Sequence, residues 1–153
     1  MADSPNLSER RLVLQLLEYW RNLCGDRDFP THEDIDSASI SQMWGYCFLL
    51  KLADGGNGPV FTYVGEIHNG ANGEELVGRT VSEMASGNLL LANSTNYFEE
   101  VVARKIPITY GGKFVDEEGA DILFRSILLP LSSDGETLDH VFGGVSFKIK
   151  ESS

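Results

Sequence analysis

The apolar positions of this chain change period along its length, and the changes divide it into elements. Over residues 7–24 they recur at helical spacing. Leu12, Leu16, Tyr19 and Leu23 form one row and Val13, Leu17, Trp20 and Cys24 the next, with Gln15, Glu18, Arg21 and Asn22 opposite. Two adjacent rows make a stripe wider than one sheet contact needs. The spacing predicts a helix that either makes a single wide core contact or touches two surfaces, its own domain and a partner. Gly25 closes the helix, and residues 26–41 form a polar connector holding Pro30 and the acidic Glu33, Asp34 and Asp36, with a short helix expected over 40–44.

After the connector the period becomes two. Residues 46–53 and 60–67 are rich in aromatic and β-branched side chains and predict two strands, joined by the hairpin loop Asp54-Gly55-Gly56-Asn57-Gly58. Residues 68–87 carry the turn signals Asn69-Gly70 and Asn72-Gly73, and Thr80 with Glu83 has the spacing of a capping box. A longer helix is expected to run to about residue 105. Leu90, Tyr97, Phe98, Val101 and Val102 lie on its apolar side, Ser94 or Asn96 starts it, and Pro107 ends it. Residues 108–115, 121–131 and 140–149 predict three further strands, separated by Asp116-Glu117-Glu118-Gly119 and Ser132-Ser133-Asp134-Gly135. Short loops make antiparallel neighbours, and the central helical segment must cross the sheet. The expected fold is one α+β domain: a five-stranded antiparallel sheet with short central helices on one face and an additional N-terminal helix. Residues 1–45 pack as part of the domain and 46–149 form its core.

Composition narrows the partners. A chain of 153 residues is the length of one domain, able to bury roughly 70% of the surface it would expose unfolded. Its two cysteines, Cys24 and Cys47, make a poor disulfide framework and are expected to be reduced core residues. The start lacks the apolar stretch of a secretory signal and no run approaches the ~20 apolar residues of a membrane span, so a cytoplasmic location is expected. A net charge of −11 with scattered Lys and Arg argues against nucleic acid and membranes as partners.

Few residues suggest chemistry. His32, His68 and His140 are far apart, and no pair has the i, i+4 spacing that sets two imidazoles on one helix face, so no metal site is expected. Glu33, Asp34 and Asp36 lack the spacing, central Gly and distal Glu of a calcium loop and read as a solvated acidic loop. Gly111-Gly112 and Gly143-Gly144 open no helix; in strands they mark bulges or close backbone approach. Strict alternation puts Thr62 and Val64 on one face of the second strand and Phe61 and Tyr63 on the other, while Tyr110 and Phe114 share a face of the third. Arg125 alternates with Leu123, Ile127 and Leu129, so it either anchors an anionic group or sits at an open edge.

The order of elements resembles a PAS domain. Two stretches support the likeness: Glu75-Leu76-Val77-Gly78-Arg79-Thr80, similar to the entry into the short central helices, and Leu129-Pro130-Leu131-Ser132-Ser133-Asp134-Gly135, similar to the turn between the last two strands. Tyr19-Trp20, Gly25, Pro30 and Asp34-Ile35-Asp36 further resemble a bacterial group of stand-alone PAS proteins with an N-terminal tryptophan helix. The connector departs from that group at His32, where a basic residue is usual, and at Ser37, where a proline is. The resemblance implies a cavity between sheet and helices, bordered by the end of the second strand where His68 lies. Haem held by a central-helix histidine is not expected, because residues 89–105 contain none. Flavin attached to a cysteine is not expected either, because neither Cys24 nor Cys47 has the required context.

The resulting expectation is a sensory or signalling module that binds a small ligand, a protein partner, or both, and acts through association rather than catalysis. The candidate pocket is Tyr63, Val64, His68, Tyr97, Phe98, Tyr110 and Arg125; the candidate homodimer interface is Leu12, Leu16, Tyr19 and Trp20. Two alternatives stand beside it: a structural adaptor with a fully packed core, and a small cavity enzyme using Glu66, Tyr63 and Tyr110 as acid and base.

Overall fold

A computed structural model describes residues 5–52, 58–68, 76–83, 88–116 and 118–150, with side chains from Arg11 onward. Helix α1 spans Pro5–Cys24 and ends at Gly25, whose φ of +56° is the left-handed turn that glycine accepts without strain. A 3-10 turn at His32–Asp34 and the short α2, Ser41–Trp44, complete the connector. The strands are β1 Cys47–Lys51, β2 Val60–Val64, β3 Ile108–Val115, β4 Asp121–Leu131 and β5 His140–Lys150. They form one antiparallel sheet in the order β2-β1-β5-β4-β3. The expected hairpin loop after β1 and the Asn-Gly turns after His68 lie mostly outside the described residues.

The sheet separates two apolar clusters. On its outer face α1 lies across β4 and β5, and Leu12, Leu16, Trp20, Ile127, Leu129 and Phe142 are buried together. On the other face Phe48, Leu50, Phe61, Leu91, Val101 and Leu128 pack under the central helices. The glycine pair of β5 brings both layers close. A Cβ on Gly143 would stand 2.6 Å from the Ile127 carbonyl oxygen and 2.7 Å from the Phe48 ring, and one on Gly144 would stand 2.5 Å from Leu16. This is the close approach that glycine in a strand signals.

Two expectations change. First, β2 does not alternate strictly: Leu49 pairs with Tyr63 and Leu50 with Phe61, so Thr62 is an extra residue. The bulge shifts the parity, sending Phe61 to the helical face and Tyr63 to the outer one. Second, the long central helix is two helices, α3 Leu89–Thr95 and α4 Phe98–Arg104. Asn88, not Ser94 or Asn96, starts the first, its side chain accepting from Leu91 N at 3.0 Å. Ser94 and Thr95 instead donate to the carbonyls of Leu90 and Leu91, at 2.6 and 2.7 Å, an arrangement that bends helices and is followed here by the break at Asn96 and Tyr97. The Thr80–Glu83 capping box forms as expected: Thr80 N donates to the Glu83 carboxylate at 2.8 Å, and Glu83 N to Thr80 Oγ1 at 3.3 Å.

Candidate functional site

The helical face carries the polar groups that a ligand could use. His68 closes a 3-10 turn, Glu66–His68, at the end of the sheet where β1 begins, and only 3% of its surface is exposed. Its ring meets Phe48 edge to face, and Asn88 Nδ2, from the start of α3, donates to its backbone carbonyl at 3.0 Å. Nε2 lies 2.8 Å from the Tyr46 carbonyl oxygen. A carbonyl can only accept, so Nε2 carries the proton and Nδ1 presents a bare lone pair. That lone pair is buried and has no partner among the described residues. Burial holds the imidazole below its ordinary range, opposed in part by the bond to Tyr46.

Toward β3 and β4 a second polar spot sits under the break between the helices. The Tyr97 hydroxyl and Ser126 Oγ are 2.8 Å apart, and the Tyr97 ring leans on Tyr110, which leans on Phe124. Burial pushes the Tyr97 phenol well above its usual range, against the lowering effect of the Ser126 bond. Beside the helices a mainly apolar cleft of about 370 Å³ is lined by Gly58, Pro59, Val81, Leu89, Ala92 and Phe98, with the polar Ser82, Asn93 and Asn96 among them, a size within the range of small-molecule pockets.

Of the seven predicted pocket residues, Val64, His68, Tyr97, Phe98 and Tyr110 lie on this face, with Tyr110 half exposed. Two do not. Tyr63 is carried to the outer face by the Thr62 bulge, where it stacks on Trp44 at 4.1 Å and donates to the Trp44 carbonyl at 2.8 Å; its phenol is pushed up to about 12, chiefly by burial. Arg125 is exposed on β4, between β3 and β5 and so not at an edge of the sheet, and it keeps the parity of Ile127 and Leu129, whose side chains face α1; it lies on the outer face and outside the helical-face pocket. Tyr63 and Tyr110 thus stand on opposite sides of the sheet and cannot serve one acid–base site.

The expected interface is also occupied. Leu12, Leu16 and Trp20 are buried against the chain's own sheet, and Trp20 Nε1 donates to the Pro130 carbonyl at 2.8 Å. The Tyr19 hydroxyl accepts from Asp36 N at 2.7 Å. Leu12, Leu16 and Trp20 are spent on the chain's own core, and docking a second copy on them would require lifting α1 off the sheet, whereas Leu17, Tyr19 and Leu23 are only partly buried. Cys24 and Cys47 are free thiols in the core. The acidic connector is internally bonded: Asp34 accepts from Arg27 and from Thr31 N, both at 2.9 Å, and Asp36 accepts from Ala38 N and Ser39 Oγ. Burial of each polar group was beyond the reach of spacing arguments, and so was one pairing. His32 and His140, from opposite ends of the chain, stack with ring centroids 4.1 Å apart.

Among the described residues no helix is long and apolar enough to cross a membrane. A family model described as PAS domain matches residues 9–146. Among solved structures the chain is similar to a fungal LOV domain photoreceptor. The two share 10% identity with a TM-score of 0.45, over 75% of this chain and 93% of that one. A search of curated proteins finds no match.

Proposed function

The chain belongs to the PAS domain family, and from that premise we propose that it is a sensory module whose helical face takes up a small organic ligand and whose output is association with another protein. One observation carries the reading: the buried His68 Nδ1, an acceptor held away from water with no donor supplied by the described residues. An unmet acceptor of this kind costs about 1–3 kcal/mol, and a ligand N–H or O–H would recover it. The ligand class is therefore a small, largely apolar molecule with at least one donor. The mainly apolar cleft beside α3 and α4 lies on the same face and includes Phe98 in its lining. The Tyr97–Ser126 pair, which can donate or accept, offers a second polar point on the same face.

Native mass spectrometry of the full chain, purified without added ligands, tests this. The expected spectrum contains a small-molecule adduct that denaturing conditions remove and that His68→Phe, which keeps a ring of similar shape, lacks. A bare mass for the wild-type chain, together with no thermal shift across a library of small donor-bearing molecules, would sink the ligand reading and leave the structural adaptor. Light scattering at rising concentration reads the association separately: a self-associating module gains mass, and a constant monomer mass assigns the output to a different chain.

A further inference from the structure

The corner where the connector meets the β4–β5 loop has no part in the helical-face site. Its chemistry points elsewhere. The backbone joins the segments there: Ser132 N donates to the Pro30 carbonyl at 3.0 Å, Asp139 N to that of Leu131 at 3.1 Å, and Leu52 N to that of Asp139 at 2.9 Å. These bonds place His32, Asp139 and His140 side by side, with one potential ligand atom from each lying within 4.8 Å of the others.

We propose that His32 and His140, with Asp139 behind them, form a binding site for a divalent transition metal ion of the zinc class. Asp139 is already committed as a positioning group. One carboxylate oxygen holds His140 Nδ1 at 2.7 Å, and the other accepts from Ser133 N at 2.7 Å. An imidazole held in this way through Nδ1–H presents its Nε2 lone pair outward, the arrangement that carboxylate–histidine–metal triads use to fix a ligand's tautomer and aim. Opposite it, His32 Nδ1 is buried with no partner among the described residues, so its lone pair or proton is unspent. Two imidazoles beside a carboxylate select zinc, cobalt, nickel or copper over magnesium and calcium, which require more oxygen donors.

As they stand, the two rings are not arranged to share an ion. The rings stack with only 21° between their planes, and a nitrogen lone pair lies in the plane of its ring, so two stacked rings cannot share one ion at the ~2.0–2.1 Å of a zinc–nitrogen bond. Binding therefore turns His32 out of the stack until one of its nitrogens faces the ion on His140. His32 and Asp139 are only partly buried, which leaves the ion a path in and room for water as its remaining ligands. Lys51, paired with His140 across β1 and β5, opposes a cation and keeps the affinity moderate. Because one ligand comes from the connector and the other from β5, the ion clasps the α1 layer to the sheet. The site makes the seating of that layer responsive to metal.

The test is a titration of the full chain with zinc in chelator-free buffer, followed by calorimetry and by thermal melting, and repeated with cobalt to read the ligand field. One zinc per chain is expected, with a rise in melting temperature. The cobalt spectrum should be that of nitrogen and oxygen donors, without the thiolate charge-transfer band that Cys24 or Cys47 would produce. His32→Ala and His140→Ala should each weaken binding at least tenfold, and Asp139→Asn about tenfold, as for other carboxylates behind a ligating histidine. His32→Gln serves if the alanine variant does not fold. No saturable binding at millimolar zinc overturns the proposal. So does a thiolate band, or binding undiminished when both histidines are replaced.

Discussion

The two faces of the sheet differ in what they do with polar atoms. On the outer face, away from the His32–His140 corner, three large side chains end their polar tips on backbone: Trp20 on the Pro130 carbonyl, Tyr63 on the Trp44 carbonyl, Tyr19 on Asp36. Such bonds fix one arrangement of helix on sheet. On the helical face Tyr97 and Ser126 bond to each other, and His68 keeps one nitrogen unused. A buried network that is only partly satisfied is costly in stability, and it is also where a bound molecule finds something to bond. The outer layer therefore reads as the rigid half and the helical layer as the receptive one.

Substitutions can break that contrast, and the largest effect should come from the outer face. Leu16 is fully buried over Gly144, and Leu16→Ala should cost about 3 kcal/mol in urea denaturation. A loss below about 1 kcal/mol would mean that α1 is a loosely held cover. Gly143→Ala should cost about 2 kcal/mol, because its Cβ meets the Ile127 backbone, which cannot step aside as a side-chain tip can. Tyr97→Phe should cost only about 1 kcal/mol, since Ser126 Oγ retains a contact with the Tyr110 carbonyl oxygen. If Tyr97→Phe proved as damaging as Leu16→Ala, the helical face would be the better-determined half.

The smallest effect is a slope with pH. His68 is held neutral in the folded chain below its ordinary value of 6.5, first by burial. The unfolded chain takes up a proton as pH falls through that value while the folded chain resists it, so the unfolded state binds more protons. Stability is thus complete above about pH 7 and declines as pH falls through 6.5. His140 is lowered in the same sense, so the His68 contribution is the part of the slope that His68→Phe removes when stability is measured by denaturation across that range.

Much of the fold could be read from the chain, because periodicity reports burial directly. The three C-terminal strands, the α1 stripe, Gly25 as its stop and the Thr80–Glu83 box all follow from local spacing. What spacing missed depended on one extra residue or on distant partners. A single bulged Thr62 exchanged the faces of Phe61 and Tyr63, and the hydroxyls of Ser94 and Thr95 turned inward onto helix carbonyls where a start signal was expected. Of the candidate site, Val64, His68, Tyr97, Phe98 and Tyr110 could be named as candidates, but which face of the sheet they share could not be read from alternation. The bond that leaves His68 Nδ1 bare was not legible either, nor was the meeting of His32 with His140, because each is made by a chain reversal that no local pattern encodes.

The placement of Trp20 and Trp44 has an optical consequence. The chain holds two tryptophans, and both belong to the outer layer, so its intrinsic emission watches one side of the sheet only. The Trp44 ring stacks on Tyr63 and Phe142, and Trp20 is buried with Leu129 and Phe142, both away from the helical layer that holds His68. A change in colour or intensity on binding would therefore be light reporting, with no added label, a displacement passed to the opposite layer, and the shortest bonded path runs from His68 Nε2 to the Tyr46 carbonyl and two residues along the chain to Trp44.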